Sequence, residues 1–493
     1  MRIWRRARLL ARLGGNDGGE ARRLAELEKA AGGVPGGCAW LDDRTVDDLD
    51  LAQVFGAVDR TRTATGAQVL WRWLAAPAHD LDVLAARERE VAAVADPKLR
   101  DRLGDALGTT TIADAAMLPR LLWEPAAVPL RGSLLWALAG AMLGLLVVAR
   151  WWPPALLGVV ALFGVNLILD DWSKLRLAQQ ARGLVVLDDT LKRAARVAAI
   201  VPAELAAPDL EVRHLLRRRM TILALQDPFD ILDLLRAGFL IRLLVTRSAM
   251  QIVEAERERL RAIVVWLGAV DAVCSIAALR AERSEVRIAD VVHGERAIVA
   301  RDLIHPAIEN AIGNDLELRG GLLVTGSNMS GKSTFLRTVA VNAILAQSIH
   351  STFGGWRATP LTVRTVMRIA DDPARGMSTY AIEVAAIGEL VAASTGAMLF
   401  VVDEPFNGTN PTIRVPIVVA VLEYLVEHGL VVAATHDLDV ATRLNTRFER
   451  GYFEERDEGT FDRHLRGGIA PASNAVEILR RAGYPNEILR RLM

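Results

Sequence analysis

Gly321-Leu322-Leu323-Val324-Thr325-Gly326-Ser327-Asn328-Met329-Ser330-Gly331-Lys332-Ser333-Thr334-Phe335-Leu336-Arg337-Thr338 decides how the second half of this chain folds. Gly326 to Ser333 satisfy the pattern G-x-x-x-x-G-K-S/T. In such a loop successive backbone N–H groups surround phosphates, the lysine reaches the β and γ oxygens, and the hydroxyl holds Mg²⁺. Leu322 to Val324 supply a short apolar strand before the loop. Phe335 to Gln347 supply a helix after it, whose N-terminus favours an anion. The expected phosphate cradle is Gly326, Ser327, Asn328, Met329, Ser330, Gly331, Lys332, Ser333 and Thr334, and the expected ligand is a nucleoside triphosphate with Mg²⁺.

Outward from the loop, Met398 to Val402 form a second apolar strand ending at Asp403 and Glu404. Triphosphate hydrolysis needs charge neutralisation, a positioned metal and a positioned water. Lys332 supplies a point charge, and Ser333 with Asp403 is the expected Mg²⁺ pair. Glu404 is the expected carboxylate for the attacking water. His436 follows the strand Val431 to Ala434 and is placed to sense the γ-phosphate. From Val286 onward short apolar strands alternate with helices and Gly-containing turns, which predicts an α/β P-loop ATPase domain with a largely parallel sheet.

The filling of these motifs narrows the class. Asn328-Met329 stands directly before Ser330-Gly331-Lys332-Ser333-Thr334. Arg375-Gly376-Met377-Ser378-Thr379-Tyr380 is followed by Glu383, Val401-Val402-Asp403-Glu404 by Gly408-Thr409, and Ala434-Thr435-His436 closes the set. In order and spacing they resemble the MutS family of mismatch-repair ATPases. Leu465-Arg466-Gly467-Gly468 and Ala482-Gly483-Tyr484-Pro485 are similar to that family's closing helix pair. Upstream, Leu41-Asp42, Asp59-Arg60-Thr61-Arg62-Thr63, Gly66 and the segment with Asp271 and Ser275 resemble its helical core. The resemblance implies ATP as the nucleotide and a homodimer with composite sites, Ser378 of one subunit serving the other's nucleotide. It also implies DNA as a ligand to be tested.

Departures limit what carries over. Core-like sequence begins by Leu41, leaving no room for a mismatch-reading domain, and the chain ends at Met493 with no nuclease domain expected. Pro405-Phe406-Asn407 stands where the family usually has Ile-Gly-Arg, and Asn410-Pro411 where it has Ser-Thr. Ala311 lies where an aromatic that stacks on adenine is expected.

Between the two helical stretches lie two apolar runs, Gly132 to Ala149 and Trp151 to Leu169, separated by Arg150. A spanning helix needs roughly 20 apolar residues. Pro153-Pro154 open the second helix, and Trp151 and Trp152 suit the interface at the turn. Arg120, Arg131, Lys174, Arg176 and Arg182 flank the pair. By the positive-inside rule both ends are cytoplasmic, so residues 132–169 are expected to contact lipid as a transmembrane hairpin in the cell (inner) membrane. The bland alternative is a buried helical hairpin in a soluble core. The Arg-rich segment Met1 to Gly14 reads as a surface amphipathic helix or a basic tail.

Composition is consistent with this reading. The chain of 493 residues is 52% hydrophobic, and its mean hydropathy of +0.23 is high for a soluble protein. The 59 basic and 59 acidic side chains cancel, so no global basic field advertises nucleic acid. Cys38 and Cys274 are the only cysteines, which argues against a disulfide framework. Arg213, His214, Arg217, Arg218 and Arg219 cluster on one helical stretch, suited to phosphates or simply solvated. The expected organisation is 1–36 basic helix and Gly-rich linker, 37–131 helical core, 132–170 hairpin, 171–285 helical lever, and 286–493 ATPase domain.

The sequence therefore reads as a membrane-anchored ATPase that drives conformational change in a dimer, acting on DNA or on an unidentified protein partner. One alternative is a DNA-organising clamp gated by ATP at the membrane. Another is an ABC-type ATPase coupled to a membrane partner, against which stands the missing Leu-Ser-Gly-Gly-Gln signature.

Overall fold

The structure is a computed structural model that describes residues 36–109, 117–124, 132–224, 231–327, 330–367, 379–394, 396–408, 410–456 and 460–469, with positions 22, 24–26 and 29. The Arg-rich start, Gly32 to Pro35, Arg131, Asn328, Met329, Arg375 to Ser378, Thr409 and Ala482 to Pro485 lie outside the described residues. The chain divides into two compact units. One comprises Met1–Gly33, Arg60–Arg72 and Glu90–Ala277; the other Val34–Asp59, Trp73–Arg89 and Ala278–Met493.

The first unit is helical among its described residues. Its polar keystone is Asp271, buried in the helix Arg257–Glu282. Its carboxylate accepts from the backbone N–H of Arg62 (3.0 Å) and Thr63 (2.7 Å) and from the Thr63 hydroxyl (2.6 Å). Those donors lie just before the helix Ala64–Ala75, where N–H groups have no intrahelical acceptor, so a remote carboxylate completes the helix start. Ser275 repeats the device, its hydroxyl accepting from Arg60 N–H at 2.7 Å. Close approach requires glycine here: a Cβ at Gly66 would lie 2.2 Å from Asp271 Oδ2. Of the residues that carried the upstream resemblance, Arg60, Arg62, Thr63, Gly66, Asp271 and Ser275 are thus brought together.

The apolar runs form helices α1 (Gly132–Ala149) and α2 (Ala155–Arg176), packed against each other. Their apolar side chains are not covered: Trp136 is 69% exposed, Leu157 77% and Val160 69%. This corrects the alternative of a hairpin buried in a soluble core. Helices α3 (Ile231–Gly238) and α4 (Ile241–Ala255) follow. Leu135, Leu177, Leu240 and Leu243 make a small core where α1 and α4 meet. Among the described residues a third helix, Arg257–Glu282, is also long and apolar enough to cross a membrane, but 67% of its apolar window is buried inside the protein.

Among the described residues, all the strands lie in the second unit. Six form the main sheet, in the order β12 (Thr460–Gly467), β11 (Phe448–Arg456), β5 (Gly321–Thr325), β10 (Gly429–Thr435), β9 (Met398–Asp403), β8 (Thr362–Val366). All neighbours are parallel except β11 with β12. β5 and β10 are buried along their whole length, as expected for parallel strands covered on both faces. One cover is helix α5 (Lys332–Ser348), apolar nearly all round and almost wholly buried. The other comes from α6 (Thr379–Ala392) and α7 (Pro411–His428), whose Ile387, Leu390, Val418 and Leu422 pack with Phe400, Val402 and Ala433. A smaller sheet runs β2 (Asp290–Val291), β7 (Gly355–Ala358), β3 (Ile298–Leu303), β4 (Asn314–Leu318). Leu465 to Gly467 end strand β12 rather than joining a closing helix; hydrogen bonding to β11 and the Asn314 side chain fixes them as extended chain.

Candidate functional site

Strand β5 delivers the loop to the C-terminal edge of the parallel sheet, where ligands bind in open α/β folds. Gly326 (φ +146°) and Gly331 (φ +113°) take backbone angles that side-chain-bearing residues avoid, which lets the loop turn and enter α5. The Lys332 ammonium donates to the carbonyls of Gly326 (2.8 Å) and Ser327 (2.9 Å) and lies 3.9 Å from Glu404 Oε1. Burial lowers its pKa, opposed by the charges of Glu404 and Asp403.

β9, beside β10, carries Asp403 and Glu404 to the same edge. Asp403 is bonded to the Ser333 side chain, and burial raises its pKa. Its Oδ1 is buried without a hydrogen-bond partner among the described residues. A hard oxygen donor left over beside a serine hydroxyl is what a Mg²⁺ shell uses, so the residues present fit the ion.

Glu404 sits at φ +48° and Phe406 at φ +59°, both in the left-handed region that non-glycine residues rarely occupy. Such angles persist only where the surroundings fix them. Here the Glu404 N–H donates to Ala434 O at 2.9 Å, tying the turn to β10. Glu404 Oε2 lies 3.2 Å from His436 Nδ1, and Asn407 Nδ2 donates to the same oxygen at 3.4 Å. Glu383 on α6 accepts from the Gly408 N–H at 3.4 Å, and burial raises its pKa.

Residues up to 104 positions apart in sequence are thus brought to one edge of one sheet: Lys332, Ser333, Asp403, Glu404 and His436. Ser330 is buried in the loop. Ser378, Asn328 and Met329 lie outside the described residues. The sequence reading missed Arg414, on the first turns of α7, and Asp437, next after His436. They pair at 3.1 Å and are largely buried. Only their proximity to Asn407 and His436 in sequence hinted at them.

Beside the loop, a cavity of about 180 Å³ is lined by His305, Ala311, Ile312, Thr334, Phe453 and Arg463, among others. Phe335 and Phe453 meet edge to face with ring centres 5.9 Å apart. Burial holds the His305 imidazole down at about 4, so it is neutral near pH 7. Ala311 does line this cavity.

Residues 322–492 match MutS domain V. Over this region the chain is a divergent relative of the MutS family. A DNA mismatch repair protein MutS of Chloroflexus aurantiacus is 32% identical over 252 residues, 48% of this chain and 26% of that protein. A DNA mismatch repair protein MutS 2 of Halobacterium salinarum is 35% identical over 254 residues, 48% of this chain and 29% of that protein. For the MutS of Caldicellulosiruptor bescii the identity is 30% over 261 residues, 48% of this chain and 30% of the relative. This chain therefore matches about 30% or less of the length of these curated relatives, and the likeness covers about half of its own sequence.

Proposed function

We propose that this chain is a membrane-anchored MutS-like ATPase that binds and hydrolyses ATP as a dimer and uses the cycle to drive conformational change. The observation that carries the reading is the contact of Glu404 with both Lys332 and His436 at the C-terminal ends of β5, β9 and β10. In this reading the loop from Gly326 to Thr334 wraps the phosphates and the Lys332 ammonium offsets γ-phosphate charge. Glu404 holds the water that attacks the γ-phosphorus as the bond to the β-γ bridging oxygen breaks. His436 fixes the Glu404 carboxylate and lies where it senses the γ-phosphate. Ser333 and Asp403 would hold Mg²⁺, which when bound neutralises phosphate charge. The cavity lined by Phe453 and Ile312 suits the adenine base. Ser378 is assigned, through the family resemblance, to the partner's nucleotide, which makes a homodimer necessary for full turnover.

The uncovered apolar surface of α1 and α2 supports a transmembrane hairpin in the cell membrane with the ATPase on the cytoplasmic side. A second reading, an ATP-gated DNA clamp, is favoured by the names of the relatives and by exposed His214, Arg217 and Arg218. ATP turnover of the detergent-solubilised chain, wild type and Glu404→Gln, with and without double-stranded DNA, tests both. Turnover lost in Glu404→Gln supports the ATPase, and turnover that DNA alters favours the clamp. Turnover indifferent to Glu404 refutes the site.

A further inference from the structure

Within the apolar runs of the hairpin, a buried polar side chain finds its partner outside the two helices. Asn166 on α2 is fully buried, and its Nδ2 donates at 2.7 Å to the carbonyl of Gly238, the last residue of α3. An amide inside an apolar run is costly unless bonded, and this contact offsets the cost for Nδ2, while Oδ1 has no hydrogen-bond partner among the described residues. Gly238 itself is pressed onto α2: a Cβ there would lie 2.9 Å from the Phe163 ring. Asn166 stands about 5 Å, roughly one helical turn, inside Leu169, where the apolar run ends. The end of α3 is therefore held at the depth of the hydrocarbon boundary.

The exposed face of α3 suits that depth. Leu234 and Leu235 are 53% and 49% exposed, and on the adjoining stretch of α2 Val165 and Ile168 are 48% and 71% exposed. Half-buried Arg236 and Arg242 follow in sequence, the cations that anionic headgroups attract; the acids at this end are Asp233 within α3 and, on α2, buried Asp170 and exposed Asp171. We propose that α3 is an in-plane interfacial helix, a third lipid contact that seats Leu234 and Leu235 in the cytoplasmic leaflet beside the hairpin. The proposal rests on the reading that α1 and α2 cross the membrane. The occupant is the bilayer rather than a protein, because α3 is fixed to the lipid-facing hairpin at bilayer depth and carries exposed Leu234 and Leu235 next to Arg236.

Site-specific fluorescence separates the two readings. The full chain with Cys38→Ser and Cys274→Ser would carry one cysteine, at Leu234 or at Val160, labelled with an environment-sensitive dye. It would be reconstituted into vesicles of phosphatidylcholine and phosphatidylglycerol. The expected result is quenching of the Val160 label by lipids brominated deep in the acyl chain. The Leu234 label should be quenched by shallow bromines, roughly two-fold or more over deep ones. Quenching at Val160 with none at Leu234 would overturn the interfacial helix and leave the hairpin standing. A blue-shifted but unquenched Leu234 label would show a protein cover and overturn it too. No quenching at Val160 would overturn the hairpin and, with it, this inference.

Discussion

Arg414 Nη2 lies 3.1 Å from Asp437 Oδ2, and its Nη1 reaches Asn407 Oδ1 at 3.5 Å. One guanidinium therefore touches the residue that bonds Glu404 and the residue that follows His436. The guanidinium beside Asn407 comes from α7. Removing Arg414 would leave Asp437 half-buried without that partner and free the Glu404 turn. Arg414→Ala should lower kcat for ATP about ten- to a hundred-fold with little change in KM, since small misplacements of catalytic groups cost that much. Arg414→Lys should recover only part, because a point charge cannot span both partners. Steady-state ATP turnover checks this, and a change confined to KM would refute the positioning role.

Asp403 and Ser333 make a separate prediction. Asp403→Asn should raise the Mg²⁺ concentration needed for half-maximal turnover by about ten-fold or more, because it removes a charge from an oxygen donor. Magnesium titration of activity measures it, and an unchanged requirement would place the ion elsewhere.

Glu88 makes the stability of its unit depend on acid. Burial opposes its charged form, but hydrogen bonds from His350 (3.0 Å) and Arg280 (2.7 and 2.8 Å) outweigh that and bring its pKa to about 2. A folded-state value below the ordinary 4.5 means the stabilisation is fully present above about pH 4.5 and is lost as pH falls toward 2. Glu88→Gln should cost about 2 kcal/mol near pH 7, allowing for partial exposure, and much less near pH 2. Denaturant midpoints of both chains across that range decide it. A penalty independent of pH would point to lost packing alone.

In the helical unit, Gly66→Ala would drive a Cβ into the Asp271 carboxylate. Overpacking of this kind costs about 1–3 kcal/mol, and the loss should appear as a lower melting temperature of the full chain. Asp271→Ala, which strips three backbone and side-chain donors of their acceptor, should be at least as damaging. A neutral Gly66→Ala would mean the helices can part without cost.

Arginine at Val160 or Leu157 tests the hairpin from the outside. Each costs about 2.5–3.5 kcal/mol at the centre of a spanning helix, less near its end. The double substitution should shift the chain out of the carbonate-resistant membrane fraction. Retention equal to wild type would argue that this face never meets lipid.

Much of the candidate site was legible because its chemistry is local. The glycines, Lys332 and Ser333 fall within one loop, and Asp403 and Glu404 end one strand, so spacing alone marks them as candidates for one site. The strands on either side of the loop were equally plain, since a buried parallel strand is a short apolar run. The closing segment misled: Leu465 to Gly467 resembled a helix start, but pairing with β11 made them strand, because sheet hydrogen bonds come from distant residues. Arg414 and Asp437 were silent for the same reason, a pair 23 positions apart that only the packing of α7 beside β10 brings together.

The apolar helices draw the division most sharply. Gly132–Ala149 has a mean hydropathy of 2.1 over its apolar window and Arg257–Glu282 has 2.2, yet the first is 11% buried and the second 67%. By itself the sequence determined that each would be an apolar helix, because hydropathy and helical length are properties of the residues in the run. Which helix joins the core and which keeps its apolar face uncovered was decided by tertiary structure. Burial depends on neighbours: Asp271 and Ser275 fasten one helix to the segment Arg60 to Thr63, while among the described residues no element covers Trp136 on the other.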